Sequence, residues 1–139
     1  MKPEPITELS LQWGEGPIWA NDSLYFVDIE GHRVHQFNPQ TGAQTDWPVG
    51  ERVGCVVPRA SGGLVMAGDF GFSFLDPESG RKTPISDPEP DKKPDNRFND
   101  GKCDPAGRFW AGTISTVKKV GDAALYCMDH DLSVTRKLS

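Results

Sequence analysis

The chain repeats itself at an interval of about forty residues, and a repeat of that length sharply limits the folds open to it. Leu24-Tyr25-Phe26-Val27-Asp28 reads as a short apolar strand. It is followed by a second strand, Arg33-Val34-His35-Gln36-Phe37, and by the turn Asn38-Pro39-Gln40-Thr41-Gly42. The same order returns as Leu64-Val65-Met66-Ala67-Gly68, Phe72-Ser73-Phe74-Leu75 and the turn Asp76-Pro77-Glu78-Ser79-Gly80. A third copy runs Arg108-Phe109-Trp110-Ala111-Gly112, then Ala124-Leu125-Tyr126-Cys127-Met128, then Asp129-His130-Asp131. Each copy has room for four short strands, which is the signature of a β-propeller blade. The turn residues agree: proline presets φ, and the closing glycine takes conformations that other residues resist. No helical periodicity of useful length interrupts the pattern.

The expected fold is therefore all-β, a β-propeller with about three blades, approximately residues 14–50, 51–96 and 97–139, forming one domain. The 15 glycines and 12 prolines, against 36% hydrophobic residues, suit many short strands joined by tight turns. Propellers usually close with about four to eight blades, so three leave a blade face open at each end. The final stretch, Leu132 to Ser139, reads as a strand stopped mid-blade. Two explanations fit: a truncated product, or a half-propeller that closes as a homodimer or on a complementing C-terminal half.

The net charge of -5 comes without a basic cluster, which argues against nucleic acid as the partner. No apolar run is long enough to span a bilayer, so no membrane association is expected. The N-terminus shows no secretion signal. Cys55, Cys103 and Cys127 are odd in number and lack a C-x-x-C pair. That usage fits a reduced, cytoplasmic protein better than a disulfide scaffold.

Two segments carry candidate chemistry. Glu15 lies between glycines in Gly14-Glu15-Gly16-Pro17. On the residues alone it is an exposed turn acid, or a carboxylate aimed into a pocket where glycine lets the backbone pass close by. Arg97 and Asn99, in Arg97-Phe98-Asn99-Asp100-Gly101-Lys102, lie two apart and so share a face of an extended segment. A planar fork of donors beside an amide can grip hydroxyls and a carbonyl. The same pair also suits an ordinary surface turn. Asp100 either faces such a site or caps the turn at Gly101; capping is the expected role. Cys103 and Trp110 read as core or blade-packing residues. The segment Asp87–Asn96, with three prolines and six charged side chains, reads as an exposed, solvated loop or as a rim loop above the site.

These two segments resemble the regucalcin (senescence marker protein)/gluconolactonase family of metal-dependent lactonases, matched over its N-terminal half. The resemblance implies a six-bladed propeller, within the usual range of about four to eight. It implies hydrolysis of a sugar lactone by a site that uses a divalent metal cation (Ca, Mg, Mn or Zn). Glu15 inherits the role of metal ligand, and Arg97 and Asn99 that of substrate binding. Two further ligands, an asparagine and an aspartate, belong to the family's second half. That aspartate is also the expected general base, which places the base beyond residue 139. Where some members carry a glutamate, Ser115-Thr116-Val117-Lys118-Lys119 has none. The rival expectation is a non-catalytic half-propeller that binds or assembles without a complete site.

Other motifs fail. Asp95–Asp100 has Arg97 at a ligand position of an EF-hand loop and Asp100 where glycine is obligatory. Ser115-Thr116-Val117-Lys118 fits S-x-x-K without its companion motifs. His32, His35 and His130 have no ligand spacing with an acid.

Overall fold

Each strand is short, and each turn brings the chain back against the strand before it. The structure, a computed structural model, describes residues 2–138. They form three antiparallel sheets of four strands, each in simple meander order. The first holds β1 (Gly14–Ala20), β2 (Ser23–Asp28), β3 (Arg33–Phe37) and β4 (Gln44–Pro48). The second holds β5 (Val53–Pro58), β6 (Leu64–Gly68), β7 (Gly71–Leu75) and β8 (Lys82–Ser86). The third holds β9 (Asn96–Cys103), β10 (Phe109–Ser115), β11 (Leu125–Met128) and β12 (Val134–Leu138). A single 3-10 turn, Pro90–Lys92, is the only helical element among the described residues.

The sheets are propeller blades stacked through two apolar seams. Side chains alternate across a strand, so one sheet can serve two neighbours. Tyr25, Val27, Val34 and Trp47 of the first blade pack on Val56, Leu64, Met66 and Leu75 of the second. From its other face the second blade sends Cys55, Val57, Val65, Ala67 and Phe72 against Phe98, Phe109, Ala111, Tyr126 and Met128 of the third. Phe72 is the pivot of that seam, 4.7 Å from the Phe98 ring and 5.5 Å from Phe109. Because both its faces are covered, the middle blade reads as continuous apolar strands: every residue of β6 is buried. The first blade alternates instead, with half-buried Leu24 and Phe26 between buried Ser23, Tyr25 and Val27 in β2.

The innermost strand of each blade is its first: β1 touches β5, and β5 touches β9. Residues before these strands and the turns joining second to third strands gather at one end of the arc. Asp28 and Asp69 occupy equivalent places at the ends of β2 and just after β6. Asp28 accepts the backbone N–H groups of Gln12, Trp13 and Gly31 at 2.8–3.0 Å. Asp69 accepts the Arg52 N–H at 2.9 Å. Each aspartate thereby ties the entry to the first strand of its blade to the turn after the second.

Three expectations change. β12 pairs with β11 from Val134 to Leu138, so the third blade has its fourth strand and is not stopped midway. Cys103 is exposed at the end of β9 rather than in the core; Trp110 is half-buried and donates its indole N–H to Asp104 at 3.0 Å. The 87–96 segment is rooted rather than loosely solvated. Glu89, 4% exposed, accepts hydrogen bonds from Tyr126 Oη at 2.9 Å, Asn96 Nδ2 at 3.0 Å and Thr113 Oγ1 at 3.3 Å. Lys92 completes the cluster at 3.3 Å. Burial, with Glu89 alongside, pushes the Tyr126 hydroxyl up to about 12. A charged loop can enter the interior when each charge finds its partners there.

Candidate functional site

Two glycines let the inner strands converge. Gly16 has φ +58°, and a Cβ there would stand 3.4 Å from the Gly54 carbonyl oxygen. A Cβ on Gly54 would fall 2.2 Å from the Asn99 carbonyl oxygen. So β1, β5 and β9 meet backbone to backbone, which brings Glu15 and Arg97 to a common mouth. The register of β1 slips between Glu15 and Ile18, so Glu15 sits beside a bulge at the strand's start rather than on a turn. Bulges re-aim side chains. Glu15 is exposed.

Arg97 is the most constrained group at the mouth. It is 4% exposed, and its Nη1 donates to the Phe98 carbonyl at 2.9 Å and to Asn99 Oδ1 at 3.1 Å. Its Nε has no partner. Burial pushes the guanidinium below its ordinary value, helped by Arg52, while Glu30, Asp69 and Glu15 oppose that push. A guanidinium keeps its charge through such shifts. Arg52 is not a free cation. Its Nε and Nη2 engage the Asp69 carboxylate at 2.8–3.1 Å, and Nη2 also reaches the Pro94 carbonyl at 3.1 Å. That fork fastens the turn after β6 to the approach to β9.

The structure thus brings Arg97 and Asn99 into direct contact. It places Glu15 within electrostatic reach of Arg97, with Glu15 accepting no hydrogen bond from either among the described residues. Asp100 is exposed and accepts the Gly101 N–H at 2.8 Å, the capping geometry expected of it. The sequence reading missed Trp13, whose ring centre lies 6.0 Å from the Arg97 guanidinium, and the Arg52–Asp69 pair. The forty-residue repeat held a signal for Asp69, since Asp28 precedes it at the matching place. Nothing periodic marks Trp13.

A hard divalent cation takes six or more oxygen ligands. Among the described residues no three His, Cys, Asp or Glu side chains stand close enough to hold a metal ion. Glu15 is not part of such a cluster among the described residues. At the mouth stands one buried guanidinium, that of Arg97, whose Nη2 makes no hydrogen bond among the described residues.

The family described as SMP-30/Gluconolactonase/LRE-like region matches residues 13–139. Regucalcin of Danio rerio is 42% identical over 140 residues, covering 98% of this chain and 47% of its own. The 6-deoxy-6-sulfogluconolactonase of Pseudomonas putida is 36% identical over 103 residues, covering 73% of this chain and 35% of its own. The crystal structure of a calcium-binding regucalcin from Agrobacterium tumefaciens matches with a TM-score of 0.87 at 24% identity, over 96% of this chain and 45% of that one. This last likeness is one of fold. The chain spans about half the length, or less, of the curated relatives it matches.

Proposed function

The chain belongs to the SMP-30/gluconolactonase/LRE-like family, and on that premise we propose that it carries the first half of a sugar-lactone hydrolase site. The observation that supports this reading is the buried Arg97, whose Nη2 makes no hydrogen bond among the described residues while its Nη1 is braced by Asn99. A braced cation with a spare donor is built to receive an oxygen from outside. In the proposed reaction water adds to the lactone carbonyl, the ring C–O bond breaks, and an aldonic acid leaves. Arg97 and Asn99 hold the ring by its oxygens, which lowers the entropic cost of reaching the transition state.

Glu15 is proposed as one ligand of a divalent cation whose other donors, like the general base, come from three further blades. A complementing C-terminal half or a second copy of this chain supplies those blades in this reading. The setting is proposed to be cytoplasmic, in keeping with three cysteines that form no disulfide among the described residues.

Titration calorimetry with D-glucono-1,5-lactone, fresh and at mildly acid pH, tests the substrate half of this reading. Hydrogen bonds to a charged group contribute about 1.5–3 kcal/mol, so Arg97→Ala is expected to weaken binding roughly ten- to a hundredfold. Equal affinity in the two chains removes Arg97 from the site. The second reading, a binding module without catalysis, is favoured by the lack of a cluster of three His, Cys, Asp or Glu side chains among the described residues. It predicts lactone binding without turnover, even when the missing blades are supplied and Ca²⁺ or Mn²⁺ is present.

A further inference from the structure

We infer that Trp13 is a substrate-contacting residue of this mouth: its indole face is the apolar wall against which the ring of the bound sugar stacks, beside Arg97. The inference rests on the sugar-lactone reading above and deepens it.

Trp13 is 52% exposed, although it belongs to no loose tail. Its N–H donates to Asp28 Oδ1 at 2.8 Å, and its carbonyl accepts the Ile29 N–H at 3.0 Å. The backbone is clamped on both sides, and the side chain is left in the open. Gly14, directly after it, packs so closely on Leu11 that a Cβ would stand 2.8 Å from Leu11 Cδ1, so the chain on either side of the indole is fixed as well. An exposed indole at a fixed place forgoes the stabilisation that burying it would bring, about 1.5–3 kcal/mol for a large apolar side chain.

The second observation is independent. Arg97 is 4% exposed, its Nη2 makes no hydrogen bond among the described residues, and its guanidinium lies 6.0 Å from the centre of the Trp13 ring. A ligand seated against the exposed part of the indole, beside the guanidinium rather than between the two, meets a donor that wants oxygen and a π-face that wants apolar C–H bonds. A pyranose or a six-membered lactone offers both at once: oxygens on its rim, and a face of C–H bonds whose positive edge suits the negative π-cloud. An open-chain polyol acid keeps the oxygens and loses the flat C–H face. Trp19, the other strongly exposed indole at 58%, sits near the far end of β1 opposite Leu24, away from Arg97. Exposure alone therefore does not single out Trp13; its place beside the orphaned donor does.

The experiment compares a ring with its opened form on the 139-residue chain. D-glucose serves as a pyranose that does not hydrolyse, and D-gluconate as the open-chain acid. Affinities are read by calorimetry and by the indole N–H signals in NMR spectra. Stacking predicts that Trp13→Ala weakens glucose binding roughly tenfold, that Trp13→Phe restores most of it, and that gluconate affinity changes by less than about twofold. Glucose affinity that survives Trp13→Ala but not Arg97→Ala overturns the role of Trp13 and leaves the site standing. Equal weakening of both ligands in Trp13→Ala overturns it too, as the mark of a structural defect. No binding of either sugar to the unsubstituted chain, or binding that Arg97→Ala leaves intact, removes the site itself and Trp13 with it.

Discussion

At Gly54 the convergence of the inner strands depends on the absence of one methyl group. A Cβ there would lie 2.2 Å from one carbonyl oxygen and 2.5 Å from another, both backbone atoms of β9 that cannot swing aside. Gly54→Ala is expected to cost about 3 kcal/mol or more, the upper range of overpacking. Gly112→Ala is the control. A Cβ there meets only the Ala124 carbonyl at 3.9 Å, and its φ is ordinary. Urea midpoints separate the two variants; similar losses would mean that β5 and β9 do not meet as described. His35 carries a second prediction. It is buried in β3 and stacked on Phe26 at 5.0 Å, and its Nε2 has no partner. Burial pushes its imidazole below the ordinary value, Arg33 adds to the push, and Asp46 and Asp28 resist it. The unfolded chain then takes up the proton at higher pH than the folded one. The stability tied to neutral His35 is complete above about pH 6.5 and is lost as pH falls from there through the folded value. His35→Phe keeps the stacked ring and is expected to flatten that part of the stability profile; an unchanged slope would assign it to other groups. At this scale the pairing of Arg97 with Asn99 was legible, because the two stand in one compact motif. Trp13 was not, because one aromatic residue before a strand carries no pattern, and its meaning comes from Arg97, far away in sequence.

The same contrast holds for whole strands. The second and third strands of the blades were legible to within a few residues, since each is an apolar run closed by a turn. The inner strands were not. β9 is the polar stretch Asn96–Cys103, whose Arg97–Lys102 part read equally as an extended segment and as a surface turn. β1 opens with Gly-Glu-Gly-Pro and looked like a turn. Strands that meet backbone to backbone around an axis have little room for alternating large side chains, so the usual period-two signal fades. The 87–96 segment misled in the opposite direction. Its charges suggested solvent, yet Glu89 is the acceptor for three side chains of β9, β10 and β11. Glu89→Ala would leave Tyr126 Oη without its acceptor, while Thr113 Oγ1 and Asn96 Nδ2 keep the carbonyls of Ala124 and Asp122. Leaving a buried donor unpaired costs about 1–3 kcal/mol, so a loss in that range is expected. Limited proteolysis should then cut within 87–95 well before the rest of the chain. A variant that unfolds globally with no early cleavage there would show that the arch is not held by Glu89.

Across the molecule, the middle blade has a neighbour on both faces and each outer blade on one. The free face of the first blade carries Trp19, 58% exposed, and no other sheet of the described residues touches it. On the third blade β12 is an edge strand, with Leu138 66% exposed. Apolar sheet faces and unpaired edges invite association. Expressed as this 139-residue chain, the protein is therefore expected to be either a two-fold dimer that rebuilds a six-bladed ring or an aggregating species. The dimer has a chemical consequence as well as a mass. Two-fold symmetry would set two copies of Glu15, Arg97 and Asn99 around one channel. Such a ring duplicates the first half of the site and lacks the asparagine and aspartate expected of the second. It should then bind a sugar ring through Arg97 while holding Ca²⁺ or Mn²⁺ weakly and turning over lactone negligibly. A complementing half supplied in trans should replace the second copy and restore both. Light scattering with and without that half reads the mass, and a pH-stat assay reads the turnover. A stable monomer at micromolar concentration with a sharp β-type spectrum would contradict the prediction. The two seams around the middle blade would then be sufficient to keep three blades folded by themselves.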